Sequence, residues 1–156
     1  MPSASSKESP MPVPRAGTRS AEPGRAILLA EDDEDLRTLA SKTLTREGFT
    51  VLEARDGQEA VELFELNRDS VCLALIDEVM PRMGGRAALA RIRRIAPDLP
   101  AVLCIGYTWS LHGKMQECSE DFDCLPKPWQ PRELLHVVRE ALDASRGRLS
   151  AARNDA

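Results

Sequence analysis

Long apolar runs are missing from this chain of 156 residues. No stretch approaches the roughly 20 residues needed to cross a bilayer, and the N-terminus lacks the apolar core of a secretory signal. A positive surplus is missing too: 21 Lys and Arg stand against 25 Asp and Glu, for a net charge of -4. That argues against nucleic acid as the main partner, since phosphate binding needs a basic face. No Cys-x-x-Cys pair occurs among Cys72, Cys104, Cys118 and Cys124. Cys118, Cys124 and His112 have metal-binding side chains but no zinc-type spacing. Free thiols in a reducing compartment are the preferred reading. Residues Met1 to Gly24 are rich in Pro, Ser and Ala and have too little apolar surface to fold, so they read as a disordered leader. These absences leave a cytoplasmic chain whose partners are neither membrane nor nucleic acid.

What is present is a folded middle. Hydrophobic residues make up 42% and charged ones 29%, the balance of a single soluble domain with a real core. From Arg25 onward, short apolar runs alternate with helical periodicity. Strands are expected at Ala26–Ala30, Phe49–Ala54, Val71–Ile76, Ala101–Ile105 and Asp121–Leu125. Between the first two, Leu36, Leu39, Ala40 and Leu44 form one apolar stripe, and Gly48 ends that helix. Asp56-Gly57 opens a second helix. Gly84-Gly85 opens a third, which ends before Pro97. Its polar side holds Arg86, Arg91, Arg93 and Arg94, read as a solvated basic face with a docking surface as the alternative. A short fourth helix is expected within Thr108–Cys118. The last follows Pro131 to about Ala144, with a frayed polar tail over 146–156. The folded domain is thus 25–145, preceded by the leader at 1–24.

Five βα units predict a parallel sheet covered on both faces. The flavodoxin-like doubly wound order 2-1-3-4-5 is the common solution at this size. In that order the carboxyl ends of strands 1, 3, 4 and 5 converge. They carry Glu31-Asp32, Asp77, Ile105-Gly106 and Lys127. Three carboxylates and one ammonium would meet there, a place for a divalent cation and a phosphoryl group.

Four segments, Ile27-Leu-Leu-Ala-Glu-Asp-Asp33, Asp77-Glu-Val-Met-Pro-Arg-Met-Gly-Gly85, Pro100-Ala-Val-Leu-Cys-Ile-Gly-Tyr107 and Leu125-Pro-Lys-Pro-Trp129, resemble the receiver domain of two-component response regulators. The Cys-Ile-Gly-Tyr-Thr run is similar to one in receivers of hybrid sensor kinases. The resemblance implies a CheY-like module that is not an enzyme. In it Asp77 accepts a phosphoryl group from a sensor histidine kinase or histidine phosphotransfer protein. It also implies Mg²⁺, held by Asp32, Asp77, the Val79 carbonyl and, through water, Glu31. Lys127 would pair with Asp77 and then with the phosphoryl group, the Gly106 N–H would bind a phosphoryl oxygen, and Pro128 would follow a cis bond.

The same comparison exposes departures. The family's Thr or Ser at the end of strand four is Ile105 here, and its aromatic on strand five is Cys124. The expectation is therefore a stand-alone receiver with output through a downstream protein target. The rival reading is a phosphorylation-independent binding module. Val79 and Tyr107 offer no acid or amide to orient an attacking water, so slow self-dephosphorylation is expected. An aspartate-nucleophile phosphohydrolase is disfavoured, because Val79 occupies the place of the second Asp.

Overall fold

Apolar side chains on both faces of the inner strands require helices on both sides of the sheet. The computed structural model describes residues 25–106 and 122–155, with side chains through residue 148. Along the chain lie β1 (Ala26–Ala30), α1 (Glu34–Arg46), β2 (Thr50–Ala54), α2 (Gly57–Asn67), β3 (Val71–Asp77), α3 (Gly85–Ile95), β4 (Ala101–Ile105), β5 (Asp123–Pro126) and α4 (Pro131–Asp155). The strands form one parallel sheet in the order β2-β1-β3-β4-β5. This is the doubly wound architecture that the alternation implies. The helix expected within 108–118 and the start of the fifth strand at Asp121 lie outside the described residues.

Alternation along each strand divides the core in two. Ala74 and Ile76 of β3 and Ala101, Leu103 and Ile105 of β4 meet Ala60, Val61 and Phe64 of α2 and Ala88, Leu89 and Ile92 of α3. On the opposite face Leu73, Leu75, Val102 and Cys104 pack with Ala40 and Leu44 of α1 and Leu134, Val138 and Ala141 of α4. Leu39, at the margin of the α1 stripe, is 40% exposed.

Helix ends follow local chemistry. The Asp33 carboxylate caps α1 by accepting the Asp35 and Leu36 N–H groups at 2.9 and 3.1 Å. Gly48 follows the end of α1 with φ 97°, a conformation that glycine adopts without strain. Asp56 caps α2, accepting from Glu59 N–H at 2.8 Å.

Two expectations need correction. The last helix does not stop near Ala144 with a frayed tail; α4 continues to Asp155. Ala, Arg and Leu are good helix formers, Asp143 and Arg146 pair one turn apart at 4.0 Å, and Gly147 has nothing around it to clash with. Nor are all the cysteines free thiols: Cys72 and Cys104 are, but Cys124 is disulfide-bonded. Position separates them, since Cys104 is sealed in the core while Cys124 lies half-buried on the edge strand β5.

Candidate functional site

The parallel order sets the carboxyl ends of β1, β3, β4 and β5 in a row, and charged residues follow directly. Asp77 is the last residue of β3, buried to 5% exposure, and Glu31, just after β1, is buried to 4%. Asp32 beside it is exposed. Lys127, the first residue after β5, reaches across: its Nζ lies 2.8 Å from Asp77 Oδ2 and 3.1 Å from Glu31 Oε1. The Lys127 N–H donates to the Ile105 carbonyl at 2.8 Å, so β4 fixes the root of the lysine. The Lys127–Pro128 bond is cis. Gly106 directly follows Ile105, where Lys127 is anchored.

Close packing holds the end of β3 against α3. A Cβ at Gly85 would stand 2.2 Å from the Asp77 carbonyl oxygen, so only glycine permits this approach. The Gly85 N–H donates to the Glu78 carbonyl at 2.9 Å, and the Glu78 N–H to the Cys104 carbonyl at 2.9 Å. The Val79 N–H makes a long 3.4 Å contact with Asp77 Oδ1, and the Val79 side chain is exposed.

Electrostatics follow from burial. Oxygens of Glu31, Asp32 and Asp77 all lie within 4.8 Å of one another, with a single ammonium against three carboxylates. Burial pushes the Glu31 carboxyl up to about 7. The charge and hydrogen bonding of Asp77 add to this, while the Asp33 N–H and Lys127 partly oppose it. Burial acts against the Lys127 ammonium, but the Asp77 and Glu31 carboxylates outweigh it and raise the lysine above its ordinary value. An all-oxygen donor set with surplus negative charge fits a hard divalent cation such as Mg²⁺.

Several contacts had no signal in the sequence. Arg37 donates to the Glu31 carbonyl at 2.8 Å, bracing the acidic turn from within α1. Glu78 pairs with Arg86 at 2.8 Å. Arg82, at φ 66°, reaches back to Asp56 Oδ2 at 2.6 Å and ties the β3–α3 loop to the start of α2. Glu31, assigned a water-mediated part, proves to be a direct second partner of Lys127.

The family model for the response regulator receiver domain matches residues 27–139. The chain belongs to the response regulator receiver family. Sensor kinase CckA of Brucella abortus is 32% identical over 75% of this receiver, which spans 12% of that protein. Transcriptional regulatory protein CpxR of Escherichia coli K12 is 34% identical over 83% of the chain and 54% of its own length. The receiver thus spans about half or less of these relatives. Response regulator receiver protein CpdR of Brucella abortus is 32% identical, over 78% of the chain and 99% of its own length. The crystal structure of the receiver domain of hybrid histidine kinase CckA matches with TM-score 0.64 and 28% identity, over 75% of this chain and 98% of that one. A CheY-like receiver from Methanospirillum hungatei matches with TM-score 0.66 and 26% identity, over 80% and 98%.

Within this receiver the two altered positions, Ile105 and Cys124, border the same core cluster. Ile105 is 1% exposed and lies in the core that α2 and α3 share, with Phe122 and Cys124 packed against it. Tyr107, Thr108, His112 and Cys118 lie outside the described residues. No helix among the described residues is long and apolar enough to cross a membrane.

Proposed function

We propose that this receiver accepts a phosphoryl group on Asp77 from a phosphohistidine donor, a histidine kinase or phosphotransfer protein, and signals through protein contacts. The observation that carries this is the buried Asp77 carboxylate, 2.8 Å from Lys127 Nζ and within 4.8 Å of two further carboxylates. An Asp77 oxygen attacks phosphorus, the P–N bond to the histidine breaks, and an acyl phosphate forms. Lys127 then transfers its contact from Asp77 to a phosphoryl oxygen, which requires no new cation in the site. The Gly106 N–H, beside the lysine, donates to another.

The carboxylates of Asp32 and Asp77 would hold Mg²⁺ with the Val79 carbonyl, and Glu31 would act through water. Bound there, the ion neutralises charge on the phosphoryl group. Glu31 also keeps Lys127 in place when Asp77 is modified.

The reading is tested by labelling the chain with acetyl phosphate. Incorporation that requires Mg²⁺ and is lost in Asp77→Asn supports it. A second reading, binding without phosphorylation, is favoured by one observation: Ile105 leaves an apolar, fully packed side chain where a hydroxyl would contact the phosphoryl group. Absence of labelling in the wild-type chain would favour that reading.

A further inference from the structure

The two helices on one side of the sheet carry opposite charge. Helix α2 contains Glu59, Glu62 and Glu65 and no basic residue; α3 contains Arg86, Arg91, Arg93 and Arg94 and no acidic one. They pack against each other and share one core cluster, so they lie side by side. All strands are parallel, so both helices return in the same direction and are parallel to each other.

Their outward stripes match in spacing. On α2 the exposed positions are Glu62, Glu65 and Leu66, continued by Asp69 just past its end; on α3 Ala87, Ala90, Arg91 and Arg94 form one exposed stripe, with the exposed Arg86 beside it. Each set follows i, i+3, i+4, i+7, one face of a helix. Leu66 is 81% exposed, the most exposed large apolar side chain among the described residues. Arg86 and Arg93 have partners within the chain, Glu78 and the Leu99 carbonyl. Arg91 and Arg94 form no ion pair among the described residues, and neither do Glu65 and Asp69. Among the described residues Glu62 accepts an exposed hydrogen bond from Gln58 and attracts Arg82 at longer range. Arg68, just past the end of α2, is exposed as well and stands one turn beyond Phe64, to the side of the acidic stripe.

We propose that a second copy of this chain docks on the α2–α3 face, forming a symmetric dimer. Charge selects the symmetry. A two-fold axis along the helices, between α2 and α3, sets each α2 against the partner copy's α3. It preserves height along the helices, so Glu62, Glu65 and Asp69 meet Arg91 and Arg94. An axis across the helices would oppose acid to acid and base to base. The two helices start side by side, since the Gly57 N–H donates to the Met83 carbonyl, so Leu66 lies level with the partner copy's Arg94 and packs on its aliphatic stem inside the charged rim. Nothing in this pairing requires Asp77 to be phosphorylated.

Sedimentation equilibrium of the full chain tests the proposal. A dimer is expected that dissociates as salt screens the rim. Glu62→Arg/Glu65→Arg makes both stripes basic, and Arg91→Glu/Arg94→Glu makes both acidic. Each variant alone should be monomeric at concentrations where the wild type is dimeric. Mixed one to one, the two should pair, because each acidic stripe again meets a basic one. The mixture separates lost complementarity from lost folding. The proposal is overturned if the wild type is monomeric at roughly 1 mM, if either variant still dimerises, or if the mixture stays monomeric.

Discussion

Replacing Lys127 by methionine asks whether the three charged groups at the strand ends depend on one another. The lysine Nζ lies 2.8 Å from Asp77 and 3.1 Å from Glu31. At an effective dielectric constant of about 20, each contact carries about 5–6 kcal/mol of direct attraction. Much of that offsets the desolvation of three charges. Removing one partner of a buried pair typically destabilises by about 3–5 kcal/mol, because the other charge is left buried alone. Two features lower the figure here. The Lys127 side chain is 22% exposed, so water reaches the site. Glu31, its carboxyl pushed up to about 7, can take a proton when the ammonium is gone. The expected loss is therefore about 2–3 kcal/mol, read by urea denaturation in chelator at neutral pH. Added Mg²⁺ should stabilise the variant more than the wild type, because no ammonium competes for the carboxylates. An unchanged midpoint in chelator would refute the mutual dependence. Equal Mg²⁺ stabilisation of both proteins would refute a shared carboxylate site.

Asp77→Asn should lie within about 1 kcal/mol of wild-type stability, since it removes a charge that crowds Glu31 while Lys127 keeps its second partner; urea denaturation reads this. Gly85→Ala should destabilise by at least about 2 kcal/mol, because its Cβ would meet the Asp77 carbonyl oxygen at 2.2 Å; thermal melting reads it. Asp56→Ala should lose about 1 kcal/mol at neutral pH through the cap of α2. Burial acts to raise the Asp56 carboxyl, but the Glu59 N–H and Arg82 outweigh it and hold it below its usual value. Its stabilising contribution is thus full above the unfolded value and fades as pH falls through the folded one, so variant and wild type should converge below about pH 4. Ile105→Thr should destabilise, through a hydroxyl placed in an apolar cluster, and should add protection of the Gly106 amide on phosphorylation, read by hydrogen exchange.

What the sequence made legible depends on the range of the interaction. Strands and helix ends are local: the apolar run Val71–Ile76, the cap at Asp56 and the glycine at 48 each declare themselves within a few residues. The convergence of Glu31, Asp77 and Lys127 followed from strand order, since short βα units permit few topologies. Apart from the Lys127–Asp77 pair, which the family resemblance implied, side-chain pairing was not legible. Arg82 meets Asp56 across 26 positions, and Glu78 meets Arg86 through a loop whose path depends on a left-handed residue. The end of α4 was misplaced because polarity was taken for disorder, whereas alanine, arginine and leucine sustain a helix with little buried surface. The cysteine reading erred at Cys124 because compartment was inferred from what the sequence lacked.

On the proposed reading, accepting a phosphoryl group and reporting it are separate tasks, and the pleat of β4 would divide them between different atoms. The strand contributes to the site through its backbone: the Ile105 carbonyl anchors Lys127, and the Cys104 carbonyl anchors Glu78. Those bonds do not depend on side-chain identity, so Ile105 leaves the site intact. Its side chain points instead into the cluster with Phe122 and Cys124. There an isoleucine packs where a threonine hydroxyl would be drawn to the phosphoryl group. A hydrogen bond to a charged group is worth about 1.5–3 kcal/mol, which sets the scale of coupling that an isoleucine at this position would forgo on the proposed reading. Phosphorylation would then change the charge at the strand ends more than it changes the shape of the β4–β5 face. A partner that senses it would do best to contact the acidic rim directly. An Ile105→Thr receiver that gains no phosphorylation-dependent change at Gly106 would show that the loss of coupling has another origin.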